Sequence, residues 1–394
     1  MESFSAVVHE LPMTERTVPT ERPLKVLHVA SGDLWAGAEA QIYTLLYTLA
    51  SRFSDVQVVV ALMNEGELAD RLRQRGIEVH VFDERKLGSV DILMGLRRLM
   101  RAWHPDIVHT HRIKENILGA LANRTTWKVP CVRTAHGASE RARGLRETLL
   151  LFFDRWCARH LQQRIIAVSA DLARQLAMTF AASHIAVIEN GIDSEEVRLQ
   201  VHPVDFRLRA PHGVHVGLAG RLVAVKRVDL FIAMAALLQR RHPGTPWHFH
   251  VFGDGPLRVA VEVQARLENG LEVTFHGHRS DIVACLAALD VLVMCSDHEG
   301  MPMTALESMA VGTRIVAHAV GGLVEVLTDM NSAKLVEEQS PDAYAEAVWD
   351  IVSCCEHSVK RQFAPKRLSA EVNAARTLSL YRELSAFERQ SRKA

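Results

Sequence analysis

A chain of 394 residues exceeds what one hydrophobic core usually serves, so its length alone points to two domains. Apolar residues make up 48% of it, charged residues 23%, and 46 cations balance 46 anions. That balance excludes a disordered chain and any whole-molecule attraction to nucleic acid, so no nucleic-acid partner is expected. No apolar run approaches the roughly eighteen residues of a membrane span. The six cysteines lack C-x-x-C spacing and read as buried reduced thiols, and no basic-then-apolar leader opens the chain. A cytoplasmic protein is expected, with residues 1–22 as a flexible tail.

The first regular element is the apolar run "LKVLHVA" at 24–30, followed by the loop "SGDLWAGAE" and a segment of helical spacing. Further strand-like runs stand at 56–63, 77–82, 106–111, 131–137 and 164–169, most of them separated by helical segments. Apolar strands alternating with helices predict a parallel sheet covered on both faces, here over 23–195. Residues 196–212 carry charge and prolines with little periodicity and read as a linker. A second series follows at 214–220, 247–255, 271–277, 290–296 and 313–322, giving a second α/β domain over 213–370. Residues 371–394 form a C-terminal helix that is expected to cross back onto the first domain. Ligands of open parallel sheets bind at the carboxyl ends of the strands, so two such domains would hold one in the cleft between them.

Three segments of the second series carry chemistry. In "GLAGRLVAVKRVDLFI", Arg221 ends a strand and Lys226 precedes a helix, a pairing of cations and helix N-terminus that suits a diphosphate. A solvated basic loop is the alternative. In "FGDGP", Asp254 and Gly255 form a tight turn near a flat ligand, or simply a turn. In "HEGMPMTALESMAVG", Glu299 lies in a loop and Glu307 in the first turns of a helix begun by Pro302. The amides of Gly300, Met301 and Met303 can bind hydroxyls or phosphate. For an isolated pair of acids, a mere dipole complement at Glu307 explains as much.

The ordered set settles the choice. "GRLVAVK", "GDGP", "VTFHGH", "SDHEGMPMTALESMAVG" and "VGGLVEVL" resemble, in order, the nucleotide-sugar domain of the family 4 glycosyltransferases, which have the GT-B fold. The first half is similar to that family through "WAGAEAQIYTLLYTLA", "PDIVHTH", "RTAHG", "AVSADLARQL" and "VIENGID". The resemblance implies two Rossmann-like domains facing a cleft and a donor that is a UDP- or GDP-linked sugar. It makes Arg221 and Lys226 the diphosphate contacts and Glu307 the acceptor of ribose hydroxyls. Glu299, with the loop from Gly300 through Met301, Pro302 and Met303 to Thr304, faces the donor sugar. His136 reaches that sugar from the first domain, and Gly37 lets backbone approach it. Asp254, Gly255, His276 and Gly277 lie near the base. Two departures stand out: Arg227 where the family commonly has Gly, and Ala36 in the first glycine loop.

Transfer with retention of configuration and without a metal is what the resemblance implies, and the chain has no Asp-x-Asp pair to hold a divalent ion. No cofactor is expected. The acceptor is expected to be a glycan or a lipid-linked sugar, with His109, His111 and Asn116 as candidate contacts. His109 and His111 share a strand face, which suggests a metal, but no third ligand at suitable spacing follows them. "RARGLRETLLLFFDRWCARH" at 141–160 reads as a partly buried helix, with contact to anionic lipid at the inner membrane face as the alternative. The rival functions are a nucleotide-sugar epimerase or hydrolase on the same fold and a non-catalytic binding protein. An NAD enzyme is disfavoured because G-x-G-x-x-G does not follow the first strand.

Overall fold

Seven short runs of buried β-formers build the first sheet of the computed structural model, which describes residues 22–32, 35–137, 144–353 and 364–391. They are β1 Leu24–Ala30, β2 Val56–Leu62, β3 Glu78–Val81, β4 Ile107–Thr110, β5 Cys131–Ala135, β6 Arg164–Ala167 and β7 Ile185–Val187. β1 is buried at every position but Lys25, as a strand with helices on both faces must be. The order is β3-β2-β1-β4-β5-β6-β7 with every pairing parallel.

Six more runs make the second sheet: β8 Val214–Ala219, β9 Trp247–Phe252, β10 Val273–Gly277, β11 Val291–Met294, β12 Arg314–His318 and β13 Ala333–Val336. Their order is β10-β9-β8-β11-β12-β13, again all parallel. These are the sheets of two doubly wound α/β domains. The chain changes direction across each sheet between β1 and β4 and between β8 and β11, and these are the two switch points where such sheets bind ligands.

The stretch at 196–212 is not the irregular linker expected. Its helices Ser194–Leu199 and Asp205–Arg209 flank Pro203, and Phe206 is buried beneath the second sheet against His215 and His250. Local periodicity misses them because helices of five or six residues complete barely a turn and a half. The C-terminal helix Ala370–Ser391 does cross back. Ala374, Leu378, Tyr381 and Leu384 are buried in one cluster with Leu24, Val26, Leu45 and Ile107 of the first domain. Burying each such leucine is worth ~1.5–3 kcal/mol, so the helix is integral to that domain. Four cysteines, Cys131, Cys157, Cys285 and Cys295, are buried free thiols as expected. Cys354, Cys355 and residues 1–21 of the tail expected over 1–22 lie outside the described residues, while Arg22 pairs with Asp106.

Candidate active site

The second switch point gathers the charged candidates. The loop after β8 carries Arg221 and, on a 3-10 turn at Ala224–Lys226, Lys226, while the loop after β11 carries Glu299. Lys226 Nζ donates to Glu299 Oε1 at 2.5 Å, with only 9% of the Glu299 side chain exposed. The carboxylate thus holds the ammonium in the cleft and leaves its other N–H groups to serve an anion. Arg221 is exposed, its carbonyl accepts from the Val223 amide at 2.9 Å, and its guanidinium makes no hydrogen bond or ion pair among the described residues. Arg227 neither adds to this site nor points freely to solvent. Its backbone is left-handed, φ 49° and ψ 46°, and its guanidinium bonds Asp229 at 3.0 Å and Asp297 at 3.4 Å. A conformation that costs an L residue about a kilocalorie or more explains why glycine is the ordinary choice there.

At Gly300 the backbones of the two domains come close together. A Cβ on it would lie 2.3 Å from the carbonyl oxygen of His136, at the end of β5. On its other side, Gly322 N–H donates to the Gly300 carbonyl at 2.8 Å, and a Cβ on Gly321 (φ 52°) would strike the Glu299 carbonyl at 1.9 Å. The Glu299–Gly300 loop is therefore sandwiched between backbone of both domains. Asn190 Nδ2 donates to the Met301 carbonyl at 2.7 Å, and Glu325 accepts from the amides of Ala170 and Asp171 at 3.0 and 2.9 Å. Gly37 faces the N-terminus of the helix Met303–Val311, 4.0 Å from the Met303 amide if given a Cβ. Pro302 is the extended N-cap of that helix and not its first residue, and Gly312 closes it in the left-handed conformation as the sequence predicts.

Glu307 opens onto a cleft that it lines together with Met303, Ser280 and Ile282 of its own domain and Trp35 and Arg71 of the first. Arg71 lies over the Trp35 ring, 4.1 Å from its centroid. Desolvation raises the Glu307 carboxyl to about 7, and the charge of Arg71 opposes that rise. Because the folded value exceeds the ordinary 4.5, this group favours folding at low pH, and that contribution is lost as pH rises from about 4.5 through about 7. Glu307→Gln is accordingly expected to flatten the pH dependence of the melting temperature in that window and to be the more stable protein at pH 8. A wild-type-like profile in the variant would remove the assignment.

The comparisons with known proteins meet this geometry over both domains. Residues 35–196 match the model described as Glycosyltransferase Family 4, and residues 213–353 the one described as Glycosyl transferases group 1. The chain belongs to glycosyltransferase family 4. It is 27% identical to a D-inositol 3-phosphate glycosyltransferase of Paenarthrobacter aurescens, over 93% of this chain and 96% of that one. It is also 27% identical to a 2-deoxystreptamine N-acetyl-D-glucosaminyltransferase of Streptomyces fradiae, over 84% and 86%. Among solved structures, Anabaena Alr3699/HepE in complex with UDP-glucose superimposes with a TM-score of 0.70 at 21% identity, covering 93% of this chain and 100% of that one. The fold is GT-B and the protein is a glycosyltransferase.

Other residues of this family 4 enzyme depart from expectation. His109, His111 and Asn116 are not on an acceptor surface: all three are buried. Asn116 accepts from Thr110 Oγ1 at 2.6 Å and donates to Asp154 at 3.1 Å, so it belongs to the interior beside the Arg133–Asp154 pair. The third histidine not found in the sequence comes from β1. His28, His109 and His111 bring ring nitrogens within 4.8 Å of one another, a spacing that could hold a metal. Yet every one of those nitrogens is already engaged: His28 with His111 at 2.9 Å and Tyr381 at 3.4 Å, His109 with Tyr381 at 2.5 Å and Thr134 at 2.7 Å, and His111 also with His136 at 3.3 Å. A metal would have to displace those bonds, and burial already holds His28 at about 3 and His136 at about 4 as neutral rings.

Asp254 serves its own turn, accepting from the Gly255 amide at 2.7 Å and from Arg258 at 3.0 Å, and these bonds hold its carboxyl below the usual range. The turn braces the Arg221 loop, since a Cβ on Gly255 would lie 2.5 Å from the Leu222 carbonyl. His276 is committed to His250 at 3.0 Å and stacks on Phe252, while Gly277 accepts from the Gly253 amide at 2.7 Å. Both thus shape the loop below the cleft. Asn190, Glu325, Trp35 and Arg71 are the site-lining or site-bracing groups that sequence reasoning missed; Asn190 and Glu325 bond across the two domains, while Arg71 is held by Glu67 and Trp35 of its own domain.

Proposed function

We propose that the enzyme transfers a sugar from a UDP- or GDP-linked donor to a glycan or lipid-linked acceptor, with retention of configuration and without a metal. The observation that carries this reading is the Lys226–Glu299 pair at the switch point beside Arg221 and a helix N-terminus. In transfer the bond from the anomeric carbon to the phosphate oxygen breaks and the bond to the acceptor oxygen forms on the same face. The acceptor hydroxyl proton passes to the departing phosphate oxygen. Charge gathers on the diphosphate, where Lys226 and Arg221 stabilise it. Glu299, the amides of Gly300, Met301 and Met303, Thr304 and His136 orient the sugar, and Gly37 gives it room. Glu307 accepts from the ribose, so affinity for the nucleotide should fall as pH drops below about 7.

Transfer measured with purified protein, nucleotide sugars and simple glycan acceptors in the presence of EDTA tests this directly. The product anomer, read by NMR, should keep the donor's configuration. Inversion, or activity that EDTA abolishes and a divalent ion restores, would overturn the reading.

A lipid-linked acceptor is supported by the helix Leu145–His160. The sequence suggests a partly buried helix, but only Asp154, Cys157 and Ala158 are buried, and Leu145, Leu149, Phe152, Phe153 and Trp156 face outward. Arg146, Arg155 and Arg159 flank that face. This apolar face rimmed with cations suits the interface of an anionic bilayer; no helix among the described residues is long and apolar enough to cross one. The protein is expected to sediment with vesicles containing anionic lipid, and F152S/F153S to lose most of that binding. Equal binding by the two proteins would refute the contact.

A further inference from the structure

We propose that His136 is held as the tautomer with its proton on Nδ1, a fixed hydrogen-bond donor, by a buried chain of groups that starts at Thr134 and passes through the C-terminal helix. The chain runs Thr134–His109–Tyr381–His28–His111–His136. Thr134 Oγ1 meets His109 Nε2 at 2.7 Å, and His109 Nδ1 meets the Tyr381 hydroxyl at 2.5 Å. That hydroxyl meets His28 Nε2 at 3.4 Å, His28 Nδ1 meets His111 Nε2 at 2.9 Å, and His111 Nδ1 meets His136 Nε2 at 3.3 Å. The rings stack along the way, with centroids 4.3–5.5 Å apart.

Proton counting fixes its direction. Each of the six groups is neutral and offers one hydrogen, while five hydrogen bonds join them. One hydrogen is therefore left over, at one end or on Tyr381 when its oxygen accepts from both His109 and His28; that middle arrangement leaves the Tyr381 hydrogen and a bare His136 Nδ1 both unmatched. If it stays on Thr134, the buried hydroxyl has no second partner among the described residues to receive it, and His136 Nδ1 presents a bare lone pair that is also unmatched. Two groups are then unsatisfied. If every bond instead points from Thr134 toward His136, the spare hydrogen ends on His136 Nδ1, and that N–H is the sole unmatched donor of the chain. Buried unmatched groups are costly, so the second arrangement prevails.

The second domain holds a shorter ladder of the same kind whose direction a backbone carbonyl sets. His215 Nε2 donates to the Ala210 carbonyl at 2.7 Å, so His215 Nδ1 accepts from His250 at 2.9 Å, and His250 in turn from His276 at 3.0 Å. Neutral imidazoles are therefore aligned by an end group in both domains.

Two consequences follow, and they rest on the glycosyltransferase reading of the cleft. His136 donates to a substrate oxygen and cannot take a proton through Nε2, which His111 occupies. Tyr381, Thr134, His28, His109 and His111 act through His136 and are positioning residues. Tyr381 thereby ties the returning C-terminal helix to the catalytic end of β5.

Long-range proton–nitrogen NMR on histidine-labelled protein, with His136→Gln to assign the ring, tests this without any substrate or activity. The wild type should show His136 with Nδ1 protonated and Nε2 bare between pH ~5 and ~8. Tyr381→Phe and Thr134→Val, which cut the chain at its middle and its head, should each yield a mixture of the two tautomers. Each should lower kcat about three- to tenfold while leaving the KM for donor within about twofold. A wild-type His136 protonated at Nε2, tautomers unchanged in both variants, or a stoichiometric transition metal in the purified protein would each overturn the proposal. Should Tyr381→Phe fail to fold, the wild-type spectrum and Thr134→Val still decide it.

Discussion

Lys226→Ala is expected to lower turnover at least ~10²-fold, the scale of removing one preorganised group from a site of developing charge. The effect should appear in kcat and kcat/KM together, because the ammonium meets the diphosphate most strongly as the glycosidic bond breaks. A second effect accompanies it. Glu299 loses its partner at 2.5 Å while its side chain remains only 9% exposed. An uncompensated carboxylate in such a place costs about 1–3 kcal/mol, less than a fully buried pair because Lys226 is 23% exposed. The double variant Lys226→Ala/Glu299→Gln separates the two: stability should return while turnover stays low. Steady-state kinetics and thermal unfolding of the single and double variants measure both quantities. Turnover within about threefold of wild type in Lys226→Ala would show that Arg221 and the helix N-terminus suffice, and would end the case for Lys226 as the main electrostatic group.

How much of this was legible beforehand divides along physical lines. The central strands read clearly because both of their faces are buried, so "LKVLHVA" and "VLVM" are apolar almost throughout. β13, "AKLV", escaped notice because it is a short edge strand, only half-buried and carrying a lysine. The Glu299-to-Glu307 interval was legible as a loop and a proline-led helix, since turn and cap chemistry are local. The Lys226–Glu299 contact was not, for it depends on β8 and β11 being neighbours in the sheet. The histidine chain is the extreme case: "HTH" announced two of its rings, but His28 and Tyr381 are 353 residues apart in sequence and meet only through sheet order and the returning helix. Arg227 shows the converse, a departure from family pattern visible at once whose explanation is a backbone dihedral.

Gly300→Ala should cost at least ~10²-fold in kcat/KM, although it adds a single methyl group and removes no functional side chain. The new Cβ would lie 2.3 Å from the His136 carbonyl oxygen, 3.1 Å from its carbonyl carbon and 3.1 Å from a Val168 methyl. A clash with backbone cannot be relieved by a rotamer, so either the loop or the end of β5 must move. The loop cannot retreat freely, because the Gly322 amide grips the Gly300 carbonyl at 2.8 Å and Gly321 abuts Glu299. The strain therefore pushes the first domain, with His136, away from Glu299, and a misplacement near 1 Å is enough for the expected loss. Folding should suffer only ~1–3 kcal/mol, the ordinary cost of overpacking. Affinity for the nucleoside diphosphate should stay within about threefold, since Glu307 and the proposed phosphate cations belong to the second domain. Gly137→Ala is the matched control: it also neighbours His136, but a Cβ there meets nothing within 4 Å. If Gly300→Ala turns over as fast as Gly137→Ala, close approach of the two backbones is not what assembles the site, and the cleft reacts from a more open geometry.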